Sequence, residues 1–152
     1  MRPEQFTPLQ SRFKLPSFEE LDRHYDIGSI DDDCKRLVLD IAQKVHDRFD
    51  YVLKILEEVL QPETSVATMQ ESAAFSEEER AEMFLLYRKL MYLFREAQAL
   101  ELEADEQKLG TFISSAHKEY ISMLPQLIST IKHLQRVWKT EQSGSSELGY
   151  FG

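Results

Sequence analysis

Cysteine is almost absent: Cys34 is the single thiol among 152 residues. Disulfide frameworks and the zinc sites built on cysteine pairs are both excluded, and a reducing compartment is expected. Glycine is sparse too. Gly28, Gly110, Gly144, Gly149 and Gly152 are too scattered to cradle a phosphate, and no Walker, dinucleotide or G-x-S-x-G pattern can be assembled. The longest apolar runs, 83–87 and 90–94, have five residues each, against the ~20 that a membrane-spanning helix needs, so no membrane partner is expected. Arg2, Pro3, Glu4 and Pro8 stand where an exported chain carries an apolar stretch, which makes a cytoplasmic address the expectation. Basic charge is in deficit, with 18 Lys and Arg against 27 Asp and Glu and a net charge of −9. That balance disfavours non-specific attraction to nucleic acid or anionic lipid.

What is present is helical periodicity. Ile30, Cys34, Leu37, Ile41, Val45, Phe49, Val52, Leu56 and Val59 recur at steps of three and four, one apolar face of a long helix over about 30–60. Ser29 or Asp31 can cap its start, the Asp31-Asp32-Asp33 run suits the positive end of the helix dipole, and Pro62 follows its end. Ser76 and Glu79 form a capping box that opens a second helix, expected over 77–109 with its stop at Gly110. A third, over 111–139, carries Phe112, Ile113, Ala116, Tyr120, Leu127, Leu134 and Trp138 in register, with a kink expected at Pro125. An uninterrupted helix through Gly110 is the competing arrangement. Before these come an extended arm over 1–16, suggested by Pro3, Pro8 and Pro16, and a short helix capped by Ser17 and stopped at Gly28. No alternating β-branched segment of strand length occurs. The fold class is therefore all-α: an antiparallel bundle of three long helices, one domain over 1–140, followed by a flexible C-terminal tail over 141–152.

Charge differs between these segments. Residues 30–60 carry eight acidic and five basic side chains, 77–109 nine and five, and 111–139 one and four. The last helix is thus basic where the other two are acidic, which favours their packing together.

Candidate chemistry is thin. Cys34 sits at an apolar-face position behind three aspartates that raise a thiol's pKa, which suits a core residue better than a nucleophile. None of His24, His46, His117 and His133 follows a glutamate by three residues, and no two are spaced to chelate a metal within one turn. His46-Asp47 is similar to the dipeptide of HD-type phosphohydrolases, but Arg48 and Phe49 follow it where small residues are expected. Glu79-x-x-Glu82 and Glu103-x-x-Glu106 resemble the paired carboxylates of all-α nucleoside triphosphate pyrophosphatases of the MazG type, although the second motif of that family ends in Asp. The resemblance implies a Mg²⁺-dependent nucleotide hydrolase with Glu79, Glu82, Glu103 and Glu106 as metal ligands, the alternative to a protein without cofactor. A third reading is an anion- or RNA-binding module using Lys132, Arg136 and Lys139, which share a helix face beside Trp138.

The leading expectation comes from apolar surface. In the second helix Met83, Leu86, Leu90 and Leu93 make one stripe while Phe84, Tyr87, Met91 and Phe94 make its neighbour. A helix apolar around so wide an arc exceeds what a three-helix protomer covers easily. Met83, Phe84, Tyr87, Leu90, Met91 and Phe94 are therefore the candidate interface of a non-enzymatic protein that associates with itself, as a homodimer, or with another protein.

Overall fold

A computed structural model describes residues 1–139, and every helix of the bundle lies within them. The expectation for the tail over 141–152 lies outside the described residues. Six α-helices are present among the described residues: α1 (Pro3–Phe13), α2 (Phe18–Tyr25), α3 (Leu37–Leu60), α4 (Val66–Ala73), α5 (Glu77–Glu103) and α6 (Glu106–Val137). The three long ones, α3, α5 and α6, enclose a core that includes Ile41, Val45, Phe49, Leu56, Leu90, Ala97, Ile113 and Ala116. His46 of α3 stacks on Phe94 of α5, whereas Leu60 of α3 lies by Phe84, so α3 and α5 run antiparallel. Phe49 meets Tyr120, and Val59 lines one groove with Leu134, so α6 runs parallel to α3.

The first sixteen residues are not an extended arm. Pro3 occupies the first helical position, where a missing N–H costs nothing, and Gln5 reaches back to accept from the Arg2 N–H at 2.8 Å. Pro8 withholds one hydrogen bond inside α1, but Phe6, Leu9 and Phe13 fall on one face and pack on the bundle, Phe6 edge-on to Phe18 at 5.7 Å. Burial of Phe6 and Phe13 outweighs the proline.

Ser17 caps α2 by accepting from the Glu20 N–H at 3.2 Å. The helix ends at Asp26, in the left-handed conformation with φ 57°, two residues before the expected stop at Gly28. Gly28 has a negative φ in a 3₁₀ turn over Ile27–Ser29, and its N–H donates to Asp22 Oδ1 at 2.7 Å. The start of α3 is also later than its periodicity suggests. Asp31 accepts from the backbone of Asp33 and, through its carbonyl, of Cys34, so the aspartates build a local turn instead of a first helical turn. Cys34, half-buried in that turn, is not on a helix, and its thiol is pushed up by partial burial first and then by Asp40 and Asp31.

The boundary between α5 and α6 falls at Ala104 and not at Gly110. Ala104 takes the left-handed conformation at φ 57°, and Asp105 caps α6 by accepting from the Lys108 N–H at 3.1 Å. Gly110 lies inside α6 because α1 crosses there: a Cβ at that position would stand 2.5 Å from Phe13 Cδ1. α6 then continues through Pro125 as one helix. The Ser76–Glu79 capping box opens α5 as expected, with both hydrogen bonds at 3.1 Å.

Candidate functional site

A groove of about 500 Å³ runs between the C-terminal end of α3 and the N-terminal end of α5. Its apolar wall is made by Leu60, Ala81, Phe84 and Tyr87, with the rings of Phe84 and Tyr87 nearly parallel at 6.4 Å. Phe84 is 51% exposed, an apolar ring that the described residues leave in water. Glu57, Gln61, Glu77 and Arg80 form its polar rim, and Glu57 and Gln61 also line an adjoining hollow with Lys54, Glu58 and Glu63.

The electrostatics of this end are one-sided. The last turn of α3 contains no basic residue, so Glu57 and Glu58 sit against the negative end of the helix dipole. Two cations belong to these linings, Arg80 in the groove and Lys54 in the hollow, and neither forms an ion pair with a rim carboxylate. Lys54 pairs with Asp50 at 2.7 Å. Arg80 donates to Ser72 Oγ at 2.7 Å, to the Ser72 carbonyl and to the Val59 carbonyl at 3.4 Å, tying α4 and α5 to the end of α3. Among the described residues no ion pair reaches Glu57, Glu58, Glu63 or Glu77. The site is an aromatic floor inside a rim where acidic side chains outnumber the one cation of the lining, Arg80.

The structure divides the six residues expected to form an interface. Met83 and Leu90 are buried by the protein's own core, at 2% and 0% exposure, and cannot take part. Tyr87, Met91 and Phe94 are half-buried along α3, Phe94 under the His46 ring at 4.5 Å, which leaves Phe84 as the outward member. The outer surface of α5 shows three apolar side chains that the periodicity did not single out, Leu85, Tyr92 and Leu102, at 57%, 72% and 89% exposure.

The four glutamates of the metal alternative do not converge. Glu79 and Glu103 lie at opposite ends of α5, roughly 36 Å apart at the helical rise. Glu79 accepts from the Ser76 N–H and lies 3.3 Å from His133 Nδ1; those hydrogen bonds to Ser76 first, and His133 next, hold its carboxyl below the usual range. Glu103 pairs with Lys108 at 2.7 Å and Glu106 with Arg12 at 3.4 Å. No group of three His, Cys, Asp or Glu able to hold a metal occurs among the described residues.

Lys132 and Arg136 are exposed on the outer side of α6, with Lys139 just past its end. Arg136 borders a small polar hollow of about 250 Å³, but Glu79 and Glu82 share its lining, which disfavours an anion there. Trp138 is not free to stack on a base, since its indole N–H donates to Glu71 at 3.0 Å.

One buried polar cluster escaped the sequence reading. His117 of α6, 4% exposed, lies with Nδ1 2.9 Å from the Tyr25 hydroxyl and Nε2 2.8 Å from Glu20 Oε1. Burial pushes the Tyr25 hydroxyl far above its ordinary range, so it stays a donor, while the His117 hydrogen bond holds the Glu20 carboxyl below its own. A neutral imidazole that donates from Nε2 and accepts at Nδ1 satisfies all three groups. His24 lies 5.6 Å from the His117 ring and Tyr120 6.0 Å from His24, closing an aromatic seal. The arrangement staples α2 to α6. Glu20 and His117 are 97 positions apart, so no local pattern announces them.

No family model, curated protein or solved structure matches this chain.

Proposed function

We propose that the chain acts without chemistry of its own, as a helical association module whose α3–α5 groove receives a basic amphipathic segment. The supporting observation is the exposed Phe84 ring beside half-buried Tyr87, framed by Glu57 and Glu77 with Glu58 and Glu63 close by, carboxylates that Arg80 in the same lining offsets only in part. An incoming helix with one apolar anchor between lysines or arginines would cover the rings and balance the α3 terminus at once. Cytoplasmic residence fits this reading, because the lone thiol offers no disulfide and no described helix is long and apolar enough to cross a membrane.

The test is fluorescence anisotropy with a labelled helical peptide bearing leucines on one face flanked by lysine and arginine. A counterpart with every basic residue replaced by glutamate is titrated in parallel. The basic peptide is expected to bind and the acidic one not, and Phe84→Ser or Glu57→Lys should weaken the complex by about tenfold or more. Equal behaviour of the two peptides, or no binding of the basic one, removes the proposal.

A further inference from the structure

We infer that the occupant of the groove is a second copy of this chain, presenting the outer face of its α6. This rests on the groove reading above and names its partner. The required chemistry is a helix with an exposed apolar side chain beside unpaired cations, and α6 has it. Ile128 is 44% exposed, and Lys132 and Arg136 follow it at steps of four on the same face, whereas Ile131 lines the hollow that α6 shares with α3 and α4. Neither Lys132 nor Arg136 is ion-paired among the described residues. Over 111–139 there is one acidic residue, Glu119, against four basic ones. That excess is opposite in sign to Glu57, Glu58, Glu63 and Glu77, four carboxylates beside which the linings hold only Arg80 and the Asp50-paired Lys54.

The helix cannot serve its own groove. α6 packs on α3 and α5 through its buried face, which carries Ile113, Ala116, Tyr120 and Leu127, so Ile128 and Lys132 point away from the α3–α5 core. The two surfaces are different patches on opposite sides of one molecule, and a contact between them is heterologous, so that copies join head to tail, the groove of one taking the α6 of the next. Two copies each carrying −9 repel at long range, so only this oriented juxtaposition of opposite patches favours approach.

Sedimentation equilibrium of the full chain tests this from low micromolar to about 100 µM, a range that reads association constants of ordinary strength. The wild type is expected to rise from its monomer mass of 17.8 kDa through twice that value and beyond as concentration increases. Glu57→Lys/Glu77→Lys and Lys132→Glu/Arg136→Glu, each alone, should raise the dissociation constant at least about tenfold, because each sets like charges face to face. An equimolar mixture of the two variants should associate again, since every contact between unlike partners then joins opposite charges. Reversing the groove glutamates also lowers the magnitude of the net charge, so plain repulsion between copies would strengthen association, the opposite of the docking expectation. Circular dichroism of each variant confirms that the helices persist. A wild type that stays monomeric yet binds the basic peptide overturns the second-copy inference and leaves the groove reading standing. If it stays monomeric and ignores the peptide, both are lost. Association untouched by either double variant runs through another face, and the inference fails.

Discussion

Replacing Gly110 by alanine puts the packing of α1 on α6 to a direct test. In an exposed helix this change stabilises by about 0.5–1 kcal/mol, because glycine gives up more backbone freedom on folding than alanine. Here the new methyl would lie 2.5, 2.6 and 2.8 Å from Phe13 Cδ1, Cγ and Cβ, and Phe13 is itself 5% exposed with no empty space to retreat into. Either α1 lifts off α6 or the ring leaves its site. Overpacking of this kind costs about 1–3 kcal/mol, and expelling a buried Phe costs about as much, so the net expectation is a loss of about 1–2 kcal/mol. For a chain of this length that corresponds to a fall in Tm of roughly 3–6 °C, read by the far-ultraviolet circular dichroism melt. In a Phe13→Ala background two of the three crowding atoms are gone while Cβ stays at 2.8 Å, so Gly110→Ala should cost clearly less there without becoming free, a coupling that a double-mutant cycle isolates. A higher Tm for Gly110→Ala in the otherwise unaltered chain would mean that α1 does not cross α6 at that point, and the helical account of residues 3–13 would fall with it.

Other expectations concern the buried cluster and the groove. His117→Phe leaves the Tyr25 hydroxyl buried without an acceptor and should cost about 1–3 kcal/mol in urea unfolding, part of which His117→Phe/Tyr25→Phe recovers. Stability should fall on acidification: His24, lowered by burial first and His117 next, binds its proton less readily folded than unfolded, so its contribution is complete above about 6.5 and lost as pH drops below that value. Glu20, lowered chiefly by its hydrogen bond with His117, adds a second loss as pH falls below about 4.5, and His24→Gln should flatten only the upper part of a urea-midpoint profile. Arg80→Met removes the donors to Ser72 and Val59 and should destabilise by about 1.5–3 kcal/mol, with hydrogen exchange rising first in α4. Phe84→Ser should leave the melt within about 0.5 kcal/mol of the parent while abolishing the anisotropy change, because the side chain supports no core contact it cannot spare.

The residues that proved legible are those whose partners lie within a turn or two. The three-and-four spacing of Ile41, Val45, Phe49 and Leu56 determines a helix and its buried face whatever it packs against, and Ser76 with Glu79 determines where α5 begins, because both hydrogen bonds close within four residues. The shortage of basic residues at the end of α3 was equally open to reading, as was the basic character of 111–139. Tertiary structure decided the rest. Whether Pro3 and Pro8 belong to a helix depends on Phe6 and Phe13 finding a surface to cover, and whether Gly110 ends a helix or lets another pass depends on where α1 lies. Of the apolar positions on α5, burial by α3 and α6 consumed Met83 and Leu90 and left Phe84 outside, a sorting that no single helix contains. The acidic rim of the groove likewise exists only because α3 and α5 meet end against end, where charges twenty residues apart in the chain share one patch of solvent. Periodicity records which sides of a helix avoid water, whereas the number and placement of its neighbours settle which of those sides are actually covered.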